Sequence, residues 1–295
     1  MASILGSILL ALPMSAWATS QGKAEVPLRL AIAGPVETAF RWSTDACSRD
    51  DFPDAPARAL RTADGEVRLF ASHHINRVSA GPSLDRLRHD CRVVYRGAGS
   101  DRPQSFDDMA WLISPYTLDG RTIYALVHNE FHGHLRPSLC RSRDYRACWY
   151  NALTWAVSTD RGRSFSRADG AAALVAAPPY QYEPDSGPYG LFNPSNIVAR
   201  DGFYYAFAFA RPYRHQAGGA CLLRTDRLDD PASWRAWDGG AFTVRFGDPY
   251  AANDAARSTE TCVPVAPRRL TASIGSLVRH LPTGLFIATF AGTRG

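Results

Sequence analysis

Ser158-Thr159-Asp160-Arg161-Gly162-Arg163-Ser164-Phe165, entered through the apolar run Leu153-Thr154-Trp155-Ala156-Val157, is the stretch from which the rest of the chain can be read. An aspartate two residues before a glycine, with hydroxyls on both sides, is a turn. The Asp side chain can accept amide hydrogens of its own loop, Gly supplies a positive φ, and the closing aromatic can bury beneath it. Two partial copies stand at Ser83-Leu84-Asp85-Arg86-Leu87 and Arg224-Thr225-Asp226-Arg227-Leu228.

A second signal alternates with the first. Asp64-Gly65 precedes Val67–Ala71, Asp119-Gly120 precedes Ile123–Val127, Asp201-Gly202 precedes Phe203–Phe209, and Thr283-Gly284 precedes Leu285–Phe290. The order of signals recurs while their spacing varies, as it does when loops of different length are grafted on one repeated unit. Strand-sized runs between turns, with no long helical period, make that unit a small antiparallel sheet. The fold class expected is all-β, a β-propeller of four-stranded antiparallel blades.

The first blade is expected from Pro56-Ala57-Arg58-Ala59-Leu60 through Val67–Ala71 to Val93–Tyr95, with Arg68 interrupting the apolar run as period-2 alternation would. The second runs from Met109–Ile113 through Ile123–Val127 and a long excursion, residues 130–150, to Ala152–Val157 and Phe165. The third runs from Asn196–Val198 to Trp234–Trp237, and Ile274–Val278 with Leu285–Phe290 begin a fourth. Five or six blades are expected when complete, so the sequence reads as C-terminally truncated.

The division expected is residues 1–18 as signal peptide, 19–52 as an N-terminal arm, and 53–295 as propeller. The apolar stretch from Ile4 to Leu12 is too short for a bilayer and is followed by Ala16-Trp17-Ala18, a signal-peptide pattern without the usual basic n-region. In the arm, Leu28–Ile32 and Thr38–Trp42 are candidate ring-closing strands. No later run has the roughly 18 apolar residues of a membrane helix. A secreted or periplasmic monomer without a membrane span is expected.

Six cysteines in an exported chain favour disulfides, and none has CxxC spacing. Cys140 and Cys148 bracket one loop and are paired here; Cys47 with Cys91 and Cys221 with Cys262 is one choice among the possible connectivities. Free buried thiols are the alternative. The net charge of +5 comes from scattered arginines interleaved with aspartates. That distribution lacks the basic stripe of a nucleic-acid binder.

Ser158–Phe165 fills every position of the Asp-box (BNR repeat) of sialidase-like propellers, Ser-x-Asp-x-Gly-x-Ser/Thr-Trp/Phe, and the chain resembles that family there. The resemblance implies that Ser158, Asp160, Gly162 and Phe165 are structural, folding the turn between the third and fourth strands of a blade. Phe192-Asn193-Pro194-Ser195-Asn196-Ile197-Val198, followed by Asp201-Gly202-Phe203-Tyr204-Tyr205, is similar to the first two strands of a blade in five-bladed arabinanase and xylosidase-type glycosidases. Asn193 stands where those enzymes often carry a carboxylate. Arg58-Ala59-Leu60 with Asp64-Gly65 echoes the arginine-bearing first blade of sialidases, which implies substrate binding at Arg58.

Propellers bind ligands over the central channel, and the turns give a register for finding it. Nine to eleven residues past each turn Asp lie His73 and His74, then His128 and Glu130, then Ala210 and Arg211. About eight to eleven residues before the turn Asp stand Asp54, Asp108 with Asp107 adjacent, and Asn193. Glu130, Asp108, Asp107 and Asp54 are the candidate catalytic carboxylates, because paired carboxylates are what glycoside hydrolysis needs. Arg58, His73, His128, Asn193 and Arg211 are candidate substrate-binding groups, and Trp111 and Tyr116 offer apolar faces to a sugar ring.

His128-Asn129-Glu130-Phe131-His132-Gly133-His134 is the densest polar cluster. A metal site, a solvated loop and a catalytic Glu held by histidines are all open readings. Alternate residues share a face only if the strand continues past Gly133. For Asp107-Asp108 a turn role competes with catalysis, and only one of two successive residues can enter the pocket. No Gly-x-Ser-x-Gly or phosphate loop is present. No cofactor or metal is expected. Two functions stand: hydrolysis of an oligo- or polysaccharide, or non-catalytic glycan or cell-surface binding.

Overall fold

The computed structural model describes residues 31, 33–71, 73–251 and 260–291. The signal peptide, the start of the arm (residues 19–30) and all but one residue of the strand expected over Leu28–Ile32 lie outside them. Every element named here belongs to the unit Thr38–Gly295. Its regular structure is nearly all strand, with a single four-residue helix and short 3-10 turns.

β1 (Arg58–Arg61), β2 (Val67–Phe70), β3 (Ile75–Gly81) and β4 (Arg88–Arg96) form a four-stranded antiparallel sheet in chain order. β5 (Met109–Thr117), β6 (Ile123–His132), β7 (Trp149–Ser158) and β8 (Leu174–Ala176) form a second meander. β9 (Tyr189–Phe192) and β10 (Val198–Arg200) lie successively along one edge of β11 (Phe203–Arg211). β12 (Gly219–Thr225), β13 (Arg235–Trp237) and β14 (Phe242–Val244) follow on its other edge, and β15 (Ile274–Arg279) and β16 (Phe286–Phe290) make a hairpin.

The two recurring signals fall at equivalent places. Gly65, Gly120, Gly202 and Gly284, all at positive φ, turn the chain between the first and second strands of successive units. The three Asp-bearing turns follow the third strands β3, β7 and β12. The repeat is therefore real in the backbone. A separate four-stranded sheet, however, is seen only for β1–β4. The second and third units merge into one ten-stranded sheet through a parallel pairing of β7 with β9, Tyr150 opposite Tyr189 and Asn151 opposite Gly190. Among the described residues no sheet closes on itself.

At the organising turn, Ser158 Oγ accepts the amides of Asp160 (3.3 Å) and Gly162 (2.7 Å), while Asp160 Oδ1 accepts those of Arg163 (3.0 Å) and Ser164 (2.9 Å). Burial works against the Asp160 charge, but these bonds and the Ser164 and Ser158 hydroxyls outweigh it and hold the carboxyl below its usual range. The turn also staples two sheets. Phe165 donates its amide to Val94 O (2.9 Å) and packs edge-on against Phe70. A Cβ on Gly162 would lie 3.0 Å from Ile123 Cδ1 and 3.3 Å from Arg68 Cδ and Phe70 Cζ, so a side chain there would prise the seam apart.

Two expectations are overturned. Thr38–Trp42 is not a strand: Trp42–Asp45 is a single helical turn, with the Asp45 carboxylate accepting the Arg41 amide (2.7 Å). Arg68 does not face solvent. It is buried at the seam, paired with Glu66 (2.6 Å) and directed at Gly162 O, because the neighbouring unit covers the second face of β2.

All three cysteine pairs form: Cys47–Cys91, Cys140–Cys148 and Cys221–Cys262. The first and third close loops of 44 and 41 residues, where constraining the unfolded chain has the larger effect.

Candidate functional site

β6 is buried along nearly its whole length because β5 and β7 flank it and neighbouring units cover both faces. Its last alternate residues, His128, Glu130 and His132, point to one face. By register Trp111 lies opposite His128 on β5, and Asn151 and Trp149 lie opposite Glu130 and His132 on β7. Cross-strand partners share a face, so these six side chains meet.

Glu130 sits between two imidazoles. His132 Nε2 is 2.7 Å from Oε2 and His128 Nδ1 is 3.6 Å from Oε1. The Asn151 amide nitrogen donates to His128 Nε2 (2.7 Å), which leaves the proton of a neutral His128 on Nδ1, facing Glu130. Burial pushes the His128 pKa down, with the Glu130 charge opposing it. The Trp111 indole is the floor, 6.5 Å and nearly parallel to His132 and 6.0 Å from His128. Its Nε1 donates to Asp54 Oδ2 (3.0 Å), and His73 Nε2 is 3.6 Å from the same oxygen. Asp54 is open to solvent, with 45 % of its side chain exposed.

The third unit contributes the opposite rim. Asn193, exposed and at positive φ, reaches His128. Arg211 lies over the Phe192 ring (5.6 Å), which in turn touches His128 (5.8 Å) and Trp149 (5.0 Å). Thus Glu130, Asp54, His73, Trp111, His128, Asn193 and Arg211 gather in one place.

Four other candidates go elsewhere. Both oxygens of Asp108 are held by Arg136 (2.6 and 2.9 Å), and Oδ2 also accepts the His132 amide (2.9 Å). Asp108 therefore shapes the end of β6 from behind. Asp107 faces the other way, accepting the Ala98 amide (3.1 Å) and lying 3.5 Å from Arg167; burial raises its pKa against the pull of that arginine. Arg58 is buried, donates to the carbonyls of Ala57 and Gly275, and is lowered to about 10 by burial. It joins β1 to β15. Tyr116 packs on Tyr204 instead of lining the site.

His132, Tyr145, Trp149 and Asn151 were not singled out as site residues from sequence. His132 could have been, since it continues the alternation of His128 and Glu130. His134 leaves that face because Gly133–Leu135 is a 3-10 turn. Gly133 is required there: a Cβ would lie 2.0 Å from Tyr182 Oη.

The metal reading finds no support in the donor geometry. His132 bonds Oε2 of Glu130 while His128 lies near the opposite oxygen, so the three groups do not converge on one point. Among the described residues the only convergent sets are Cys47–Asp51–His89 and Cys140–Cys148–Asp185, whose cysteine sulfurs are all in disulfides. A cavity of about 500 Å³ between β10–β14 and β15–β16, lined by Tyr205, Trp237, Phe242 and Phe286, is apolar and contains none of the site groups.

His74, His128 and His134 all have pKa values lowered from 6.5, burial being the largest cause for each. The unfolded chain thus binds protons that the folded one refuses, and stability is greatest above pH 6.5 and falls as pH drops below it. The slope is at most about 1.4 kcal/mol per pH unit per histidine. Thermal unfolding between pH 8 and 5 is expected to show a falling Tm below pH 6.5; a Tm that is flat or rises toward pH 5 contradicts this.

No protein-family model matches the chain, and no curated protein matches it. Solved structures do. The chain is similar to an endo-1,4-beta-xylanase from Bacteroides thetaiotaomicron (TM-score 0.42, 15 % identity, 68 % of this chain and 58 % of that one). It is similar to an endo-arabinase from the same organism (0.40, 11 %, 65 % and 63 %) and to a family 117 glycoside hydrolase from Zobellia galactanivorans (0.42, 10 %, 67 % and 58 %). The alignments cover less than two thirds of each of these structures' own length. With TM-scores under 0.5, none of these likenesses bears on what this chain does, and its chemistry has to be read from its own residues.

Proposed function

We propose that the chain is a secreted, carbohydrate-active propeller of the sialidase-like, Asp-box type that hydrolyses a glycosidic bond with Glu130 and Asp54 as its carboxylate pair. The observation that carries this is one indole shared by two carboxylates: Trp111 lies against the histidines that hold Glu130 and donates its N–H to Asp54. Trp111 is itself 6 % exposed, and the arrangement sets one acid beside the histidines that cover the indole and the other at its N–H edge, with a sugar ring to be held between them. Glu130, in contact with His132, can exchange its proton with an imidazole and is assigned the acid that protonates the leaving oxygen. Asp54, exposed, is assigned the group that takes a proton from the attacking water. Arg211 and Asn193 are placed to bind hydroxyls or a substrate carboxylate, and His73 orients Asp54.

A second reading is a non-catalytic glycan-binding or cell-surface propeller using the same face. It is favoured by the hold of His132 on Glu130 Oε2, with His128 near Oε1, which suits a fixed acceptor for sugar hydroxyls. One experiment separates the two. Wild type and Glu130→Gln are incubated with xylan, linear arabinan, a fructan and a sialylated oligosaccharide, and new reducing ends and binding are measured in parallel. Hydrolysis lost by about 10²–10⁴-fold in the variant, with binding kept, is the result expected of a general acid. Binding without hydrolysis by the wild type selects the second reading, and neither binding nor hydrolysis overturns both.

A further inference from the structure

Between Cys140 and Cys148 the chain makes a short loop that is held from several sides. The disulfide closes it, Asp144 Oδ1 accepts the Ala147 amide (2.8 Å), Asp185 accepts the Ser142 amide (3.1 Å), and Ala147 O accepts the Gly187 amide (2.7 Å). Tyr145 rides on this loop. Its ring stacks on Trp149 at 4.8 Å with 28° between planes, and it makes T-shaped contacts with His132 (5.2 Å) and His134 (5.1 Å). A tyrosine so rigidly placed is nevertheless 40 % exposed, and its hydroxyl has no hydrogen-bond partner among the described residues. The Trp149 indole N–H is buried and also lacks a partner.

Burial, with the nearby charges of Glu130 and Asp54, pushes the Tyr145 phenol up to about 12. It is therefore a neutral hydroxyl that can donate and accept, on a ring that stays part-exposed. A part-exposed tyrosine stacked on a tryptophan, with an unused phenol hydroxyl beside the carboxylates, has the features of a sugar platform.

We infer that Tyr145 and Trp149 form a sugar-binding subsite next to the Glu130–Asp54 centre, held in position by the Cys140–Cys148 loop. The occupant is the pyranose or furanose ring adjoining the bond over Trp111, packed on the exposed part of the Tyr145 ring. The inference rests on the carbohydrate reading of the site but not on its being catalytic. Tyr145 acts on affinity; the proton transfers belong to Glu130 and Asp54.

The test uses the full chain and whichever of xylan, linear arabinan, fructan or sialylated oligosaccharide the wild type binds. Tyr145→Ala, Tyr145→Phe and the Cys140→Ser/Cys148→Ser double variant are titrated with that probe in the Glu130→Gln background, and kcat and KM are measured with Glu130 intact. Losing a stacked ring is expected to weaken binding and raise KM by about tenfold, with kcat within about threefold. Tyr145→Phe keeps the stack and is expected to remain within about threefold of wild type. The double variant is expected to weaken binding like Tyr145→Ala, with its unfolding curve showing that the fold persists. Unchanged affinity in Tyr145→Ala, or a fall in kcat at constant KM, overturns the subsite while leaving the carboxylate pair standing. A wild type that binds none of the probes overturns the subsite and the carbohydrate reading together.

Discussion

Replacing Asn76 by Ala is expected to lower stability by about 3–5 kcal/mol, because a single buried amide joins the first sheet to the second. Its Nδ2 faces Ala110 O (2.7 Å), Tyr95 O (3.1 Å) and His74 O (3.2 Å), and its Oδ1 accepts the Leu112 amide (2.8 Å). β3 and β5 do not pair along their length, so the side chain stands in for a missing rung of ladder between them. Removing it strands several buried backbone groups at about 1–3 kcal/mol each. At the next seam but one, Asn196 bonds Leu277 O and N (both 2.7 Å) in the same way. Asn196 is only partly buried, and water can replace some of what it does, so Asn196→Ala is expected to cost less. Denaturant unfolding of both variants checks this. An Asn76→Ala midpoint close to wild type, or a larger loss at Asn196, contradicts it.

Asp108→Ala is expected to cost a similar amount, about 3–5 kcal/mol, through a different mechanism. The Asp108 side chain is almost wholly buried and forms a bidentate pair with Arg136, of which 17 % is exposed. Breaking such a pair from one side leaves the other charge uncompensated in a desolvated place. Arg136→Ala is expected to be as damaging, and the double variant to lose clearly less than the sum of the two, since residues in direct contact are not additive. Asp108 also accepts the His132 amide, so its loss loosens the strand end that positions the Glu130 partner. Strict additivity in the cycle would mean that the pair does not hold β6 in place.

Much of the backbone order was legible because it depends on local chemistry. A glycine needing positive φ marks each first turn, and Asp160 with its flanking hydroxyls satisfies its own loop, so short motifs announced where strands reverse. The β7–β9 pairing was not legible. It joins segments nearly 40 residues apart through backbone groups, which leave no mark in residue type. The alternation of His128, Glu130 and His132 on β6 was likewise visible, whereas the direction of Asp107 and Asp108 was not. That choice is made by Arg167 and Arg136, neither of which is close in sequence. Arg58 and Arg68 illustrate the same limit, since an arginine in a strand reads as exposed until a neighbouring unit covers it. Tyr145 was hidden in a loop whose disulfide was expected but whose direction depends on Asp185 and Trp149.

The measurement that tests the central proposal most directly is a crystal structure of Glu130→Gln soaked with an oligosaccharide that the wild type cleaves. The expected density has a sugar ring on the Trp111 face and the glycosidic oxygen within hydrogen-bond reach of residue 130, with Asp54 on the other side of the ring. Sugar bound away from Trp111, or a scissile oxygen out of reach of residue 130, would contradict the assignment of Glu130 and Asp54 as the carboxylate pair.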